Sequence, residues 1–182
     1  LRHETARAKA PYVIEHVREC LESVQKIVVF AHHKDVLFGI QKEFRDSVLL
    51  FGETGLQARD AAVQRFQNDP GVRLFIGGII PAGVGITLTA ASHVVFAELD
   101  WVPGNVTQAE DRCHRIGQRD NVLVQHLVLE GSLDAHMAQV IIRKQEVIEQ
   151  ALNSANAPKA PKQAIVRPVA SVFRRGEQGS LF

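Results

Sequence analysis

Short apolar runs that recur along the chain, separated by segments of helical spacing, constrain the fold more than any other feature. Residues 26–31 (KIVVFA), 47–51 (SVLLF), 72–76 (VRLFI), 93–97 (HVVFA) and 121–128 (NVLVQHLV) are such short, mainly apolar runs. The central runs read as strands buried on both faces. Between the runs lie amphipathic stretches. Residues 9–23 carry Val13, Ile14, Val17 and Leu21 at helical spacing, with Pro11 near the start. Residues 35–45 present Val36, Leu37, Ile40 and Phe44, and residues 56–67 turn Ala62, Val63 and Phe66 inward and Arg59 and Arg65 outward. Another helix is predicted after Pro103, a residue suited to a helix N-terminus. A last one runs from Leu133 to about Leu152 behind Ser132 as N-cap, with Met137, Ile141, Val147 and Ile148 facing the sheet. Strands alternating with helices throughout predict an α/β three-layer domain with a mainly parallel sheet over residues 1–152.

The 182 residues suffice for one substantial core, and 46% hydrophobic with 23% charged residues is ordinary for a globular domain. A formal net charge of +1 excludes a global basic field, so any nucleic-acid surface must be local. Cys20 and Cys113 are far apart in sequence and lack ligand partners at usable spacing, so neither a metal site nor a disulfide framework is expected. No apolar run is long enough to cross a bilayer, and no secretory segment opens the chain, which points to an intracellular protein with reduced thiols. A chain opening on Leu1 reads as part of something longer.

Between the runs at 72–76 and 93–97, Gly77, Gly78, Pro81, Gly83 and Gly85 break any regular element. Such a loop lets backbone N–H groups approach an anion closely, although glycine-rich turns are common. Past Pro103, Gln108, Arg112 and Arg115 are spaced i, i+4, i+7 and are predicted to project from one side of a helix. The run QAEDRCHRIGQ (108–118) resembles the QAxDRxHRxGQ signature of SWI/SNF-type helicase-like ATPases, and AGVGITLT (82–89) resembles the AGxGxxLT motif that precedes it. FAHHK (30–34) and AELDWVPG (97–104) are similar to segments of the HARP-like annealing-helicase branch. The match extends over roughly residues 5–150, with several motifs in order.

The resemblance implies a RecA-like fold, the second (C-terminal) motor lobe of a double-stranded DNA translocase. It makes Arg112 and Arg115 arginine fingers toward ATP on a partner lobe, with Gln108 orienting phosphate or fingers, and puts Gly83 and Gly85 beside the nucleotide. A planar, permanently charged guanidinium suits that task, because phosphoryl transfer spreads negative charge over phosphate oxygens. Gly85 and Thr87 are candidates for coupling nucleotide state to DNA contact, and Thr54, Arg59 and Thr87 fall at positions near the DNA backbone. The bland readings stand beside these: Arg115 paired with Asp111 on a wet face, Thr54 as an N-cap and Arg59 solvated. His32 and His33, at a strand's C-terminal end, are either structural or ligand-facing. Trp101 could anchor a lobe contact, stack on a base or simply pack. The chain has no GxxxxGK[ST] loop and no strand-end Asp-Glu pair, so Mg2+ and most of the ATP site are assigned to an N-terminal lobe.

Residues 153–182 change character, being rich in Ala, Pro and Ser with Lys159, Lys162, Arg167, Arg174 and Arg175 against Glu177, and read as a flexible basic tail, with Val166–Phe173 as a candidate short strand or docking element that the sequence alone does not show. Its end, QGSLF, resembles the Q-x-[S/D]-L-F peptide that docks bacterial replication and repair proteins on the sliding clamp through residues matching Gln178, Leu181 and Phe182. Gly179 stands where that peptide usually has leucine; a chance match or a truncated end is the competing reading. A true match favours a bacterial source, cytoplasm or nucleoid, over a eukaryotic nucleus. The task implied is fork remodelling or strand annealing in DNA repair. A chromatin- or transcription-complex remodeller and a non-catalytic DNA- or protein-binding module are the alternatives.

Overall fold

The computed structural model describes residues 2–79, 86–100, 103–113, 122–129, 132, 135–140, 143 and 164–168. In chain order these form α1 (Arg2–Ser23), β1 (Ile27–Ala31), α2 (Lys34–Glu43), β2 (Val48–Leu50), α3 (Leu56–Asn68), β3 (Leu74–Gly78), β4 (His93–Phe96), α4 (Pro103–Glu110), β5 (Leu123–Val128) and β6 (Ala164–Pro168). Residues 135–140 are also helical. The strands make one sheet in the order β2-β3-β1-β4-β5-β6, and every pairing is parallel.

Strand periodicity divides the core. Val28, Phe30, Phe75, Val94 and Phe96 point to the face covered by α3 and α4, where they meet Phe66, Val106 and Ala109. Ile27, Val29, Ala31, Leu74, Ile76 and Val95 point to the opposite face, against Val13 and Val17 of α1 and Val36, Leu37 and Ile40 of α2. The expected three-layer parallel α/β domain is what these residues build. Two cations at strand entrances cap the helices. Lys26 Nζ donates to Phe66 O and, at 2.8 Å, to Asp69 O at the end of α3. Arg73 donates to Leu21 O, to Val24 O at 2.7 Å and to Gln25 O at 3.0 Å at the end of α1. Positive charge there satisfies the last carbonyls and opposes the helix dipole.

Four features depart from the sequence reading. First, α1 begins at Arg2 and runs through Pro11, although proline removes a helical hydrogen bond. Burial of Ala6, and of Lys9 with its ammonium donating to Leu127 O at 2.8 Å, holds the leading turns against the sheet. Second, Gly77 and Gly78 belong to β3 and not to the loop. Third, α4 stops at Glu110, so Arg112 lies in a turn. Fourth, residues 164–168, within the stretch expected as a flexible tail, form an edge strand on β5, with Val124 opposite Ala164 and Val128 opposite Pro168. Proline is compatible with an edge, where one side of the ladder has no partner. Among the described residues no helix is long and apolar enough to cross a membrane.

The glycine at position 77 is there for room. A Cβ on it would lie 3.1 Å from the Phe30 ring and 3.2 Å from the Phe75 ring. Neither ring can retreat easily, since Phe30 packs on Phe96 and Phe75 on Phe66, each pair at 5.4 Å between centroids. Gly77→Ala is therefore expected to destabilise the domain by about 1–3 kcal/mol, a fall in Tm of roughly 3–10 °C. Thermal unfolding followed by circular dichroism checks this; an unchanged Tm would show that the rings can give way.

Candidate functional site

In a parallel sheet all strand C-termini share one edge, and the helices that return the chain carry it to the other. The described candidates divide between these two ends. At the C-terminal edge, β1 sends its chain toward β2 while β4 sends its chain toward β5, so the crevice between them is the topological switch point. Glu98, only 4% exposed, fills it. Its Oε2 accepts from the backbone N–H of His32 and of His33, both at 2.9 Å, and its Oε1 lies 2.5 Å from His33 Nδ1. The His33 ring also stacks on His3 at 4.6 Å, and His3 bonds Asp35 at 2.7 Å. His33 is thus engaged structurally, while His32 is exposed.

Thr54 and Arg59 stand together at this same end. Thr54 Oγ1 accepts from Phe51 N at 3.0 Å, and Arg59 Nε donates to Thr54 O at 2.9 Å. The N-cap of α3 is Gly55, without a side-chain cap, so the reading of Thr54 as N-cap is corrected. The threonine closes its own turn instead. Arg59 is half-buried, which corrects the reading of a fully solvated arginine.

Thr87 and Arg112 meet at the other end of α3. Gln67, in its last turn, accepts from Ala90 N at 2.7 Å and donates to Thr87 O and Thr89 Oγ1, both at 3.2 Å. The loop so held is bonded to the arginine turn, Leu88 N donating to Arg112 O at 3.0 Å. Arg112 is 3% exposed, its Nε donates to Gln108 O at 3.1 Å, and the Gln108 side chain is exposed. The expected single helical face holding Gln108, Arg112 and Arg115 is therefore corrected at Arg112. There the chain has left the helix because its N–H turns to Ala109 O and its carbonyl is taken by Leu88. Thr87 is grouped with Arg112, and not with Thr54 and Arg59. Eight residues of helix separate Arg59 from Gln67, about 12 Å at 1.5 Å per residue.

Gly83, Gly85, Trp101, Arg115, Gln178, Leu181 and Phe182 lie outside the described residues. Gln67 and Glu98 were not singled out from sequence. A signal existed for each: Glu98 is an acid at the end of an apolar run, and Gln67 is a polar residue beside the inward Phe66. Cys20 does gain neighbours through the fold, with His16 Nε2 at 3.4 Å and His93 Nε2 at 4.0 Å from its Sγ. Both imidazoles donate to Gln125 Oε1, at 2.8 and 2.6 Å, so the cluster is a hydrogen-bonded tie between α1 and the sheet. Among the described residues no group of three His, Cys, Asp or Glu side chains could hold a metal ion.

Comparison with known proteins adds the following. The family described as "Helicase conserved C-terminal domain" matches residues 9–117. A Caenorhabditis elegans protein, "SWI/SNF-related matrix-associated actin-dependent regulator of chromatin subfamily A-like protein 1 homolog", is 42% identical over 154 residues, covering 80% of this chain and 22% of that protein. The mouse (Mus musculus) "DNA annealing helicase and endonuclease ZRANB3" is 41% identical over 155 residues, covering 82% of this chain and 14% of that protein. The chain thus spans less than a quarter of the length of these curated relatives. Both are animal proteins, and they lend no support to a bacterial source. Among solved structures, the "Sulfolobus solfataricus SWI2/SNF2 ATPase core in complex with dsDNA" is similar at a TM-score of 0.62 and 31% identity, over 81% of this chain and 32% of that one. The C-terminal part of the Fun30 ATPase domain matches at a TM-score of 0.66 and 24% identity, over 70% of this chain and 44% of that one, and speaks for the fold alone.

Burial gives one further expectation. Desolvation pushes the Cys113 thiol up to about 12, against a smaller opposing pull from the Arg112 charge. The folded chain therefore favours the neutral thiol. The stability this contributes is complete below the unfolded value of 9.0 and is lost as pH rises toward the folded value. At pH 8 the thiolate fraction is about 10⁻⁴, against roughly a tenth or more for an ordinary thiol, so alkylation by iodoacetamide should be at least about 100-fold slower in the folded protein than in denaturant. Mass spectrometry of the labelled peptide reads the rate; labelling of native Cys113 at the free-thiol rate would contradict the burial.

Proposed function

The chain belongs to the family of helicase conserved C-terminal domains, in its SWI/SNF-type branch, and from that premise we propose that it is the second motor lobe of an ATP-dependent double-stranded DNA translocase. Its task in this reading is fork remodelling or strand annealing in DNA repair; the annealing agrees with the mouse relative's name as a DNA annealing helicase. The observation that carries the reading is the hydrogen bond from Leu88 N to Arg112 O, which joins the loop after the glycines to the arginine turn at the far end of α3 from Arg59. In this reading the lobe keeps nucleotide chemistry at one end of α3 and the DNA track at the other.

The donor set suits one edge of a triphosphate. Arg112 is a permanent cation whose Nε is fixed on Gln108 O, and Arg115 follows three residues later. ATP supplies the transferable γ-phosphoryl group, and the proposal assigns its phosphate loop and Mg2+ to the partner lobe. This chain's part is to bring fixed positive charge against the phosphate oxygens and to keep water from that side. Because Arg112 is seated under the surface, it holds the turn as well as contributing charge, and Arg115 is assigned to the same phosphate oxygens. Gly83 and Gly85 are assigned to the same nucleotide side.

The reading assigns DNA phosphates to the C-terminal edge, near Thr54 and Arg59, because these two stand together at the end of α3 away from Arg112; that a lobe of this kind meets DNA is supported by the Sulfolobus solfataricus structure, which is a complex with double-stranded DNA. With 21 Lys and Arg against 20 Asp and Glu there is no general basic field, so contacts should go to the backbone through local cations, without regard to base sequence, and weaken with salt in proportion to the phosphates met. The two-lobed motor tests the division. Arg112→Ala and Arg115→Ala should each lower kcat for ATP on the order of 10³-fold with DNA affinity retained, Arg112→Ala alone also lowering Tm. Arg59→Ala should instead raise the DNA concentration that half-stimulates hydrolysis. If both arginine variants turned over at the wild-type rate, the assignment of the nucleotide end would be wrong.

A further inference from the structure

Gln67 is a polar side chain through which α3 holds the loop that is bonded to Arg112. Among the described residues, its side-chain hydrogen bonds go to one short piece of chain: from Ala90 N at 2.7 Å, to Thr87 O at 3.2 Å and to Thr89 Oγ1 at 3.2 Å. Phe66 beside it is fully buried against Phe75, so the end of α3 cannot shift without disturbing the core. Leu88, between the bonded residues, is also fully buried, and its N–H is the one that grips Arg112 O. Ala91 N in turn donates to Leu88 O at 3.3 Å, closing the loop on itself. The loop is therefore fixed from behind by α3 and fixes the arginine turn in front.

We propose that Gln67 is a positioning residue for ATP hydrolysis: through the Thr87–Ala90 loop it sets where the backbone of Arg112, and the chain that leads on to Arg115, stands relative to the nucleotide. The inference rests on the proposed function and adds a residue that touches neither ATP nor DNA. Gln67 is chemically suited to the role because one amide group both accepts from and donates to the same loop, which an apolar side chain of equal length cannot do. The Arg59 end of the same helix carries the Thr54 contact, so α3 is also the rigid element between the two functional ends.

The test uses the two-lobed motor with Gln67→Leu, Gln67→Glu and, as a control for stability alone, Val17→Ala. Val17 is fully buried on the opposite face of the sheet. Losing three neutral hydrogen bonds from the loop should reduce kcat for Gln67→Leu about tenfold or more, with KM for ATP and the half-stimulating DNA concentration unchanged. Gln67→Glu still accepts from Ala90 N and from the Thr89 hydroxyl but turns an oxygen toward Thr87 O, so it should recover part of kcat, ending above Gln67→Leu. It also carries the test should the leucine variant fold poorly: Gln67→Glu folded but as slow as the arginine variants would overturn the proposal. Val17→Ala should lower Tm and leave kcat alone. A Gln67→Leu kcat no lower than that of Val17→Ala would likewise overturn it. That failure is distinct from failure of the functional reading, which would appear as full activity in Arg112→Ala and Arg115→Ala.

Discussion

Every feature of this domain depends on a parallel sheet that must be covered on both faces. Parallel strands cannot be joined by tight turns, so each connection crosses the sheet and deposits a helix or a long loop on one side. Here the crossovers place α1 and α2 on one face and α3 and α4 on the other, and β1 at the centre is left with no exposed surface. The same requirement sorts the loops by end. Those leaving strands gather at the C-terminal edge, where Glu98, the His32–His33 amides, Thr54 and Arg59 stand. The segments re-entering the sheet gather at the opposite edge with Gln67, Thr87 and Arg112. A two-ended lobe follows from the topology before any particular side chain is considered.

Polar groups taken into such a core hold their places through hydrogen bonds, and several act as ties between layers. Lys9 reaches from α1 to the carbonyl of Leu127 near the end of β5. Gln125 gathers His16 from α1 and His93 from β4 on one oxygen. Glu98 joins the end of β4 to the start of α2 through two backbone amides and an imidazole. A buried carboxylate receiving such donors is compensated for lost hydration, whereas removal of a partner strands the remainder in a medium of low dielectric. Glu98 also occupies the crevice that open α/β sheets commonly offer to an anion.

How much the sequence disclosed follows from which forces act locally. Runs such as KIVVFA and HVVFA announce buried strands because composition and length suffice to set them, and the helices of spacing 3.6 follow in the same way. The residues lost to the reading were fixed by distant contacts. Gly77 and Gly78 looked like loop, yet both lie in β3, where the Phe30 and Phe75 rings leave little room for a Cβ at position 77. Arg112 had helical spacing from Gln108, yet Leu88, more than twenty residues away, takes its carbonyl and a turn results. The segment at 164–168 carries no periodicity that separates it from a linker; its pairing with β5 is a tertiary event. Gln67 and Glu98 are polar residues next to apolar ones, and only the fold shows what each one holds.

The central claim is that this chain is one half of a motor whose active site is completed by another lobe. Hydrolysis of ATP, measured with and without double-stranded DNA, tests it most directly when the isolated chain is compared with the same chain joined to its phosphate-loop lobe. The account predicts no DNA-stimulated turnover by the isolated chain and robust stimulated turnover once the lobes are joined. Stimulated hydrolysis by the isolated chain at a rate near that of the joined protein would contradict it.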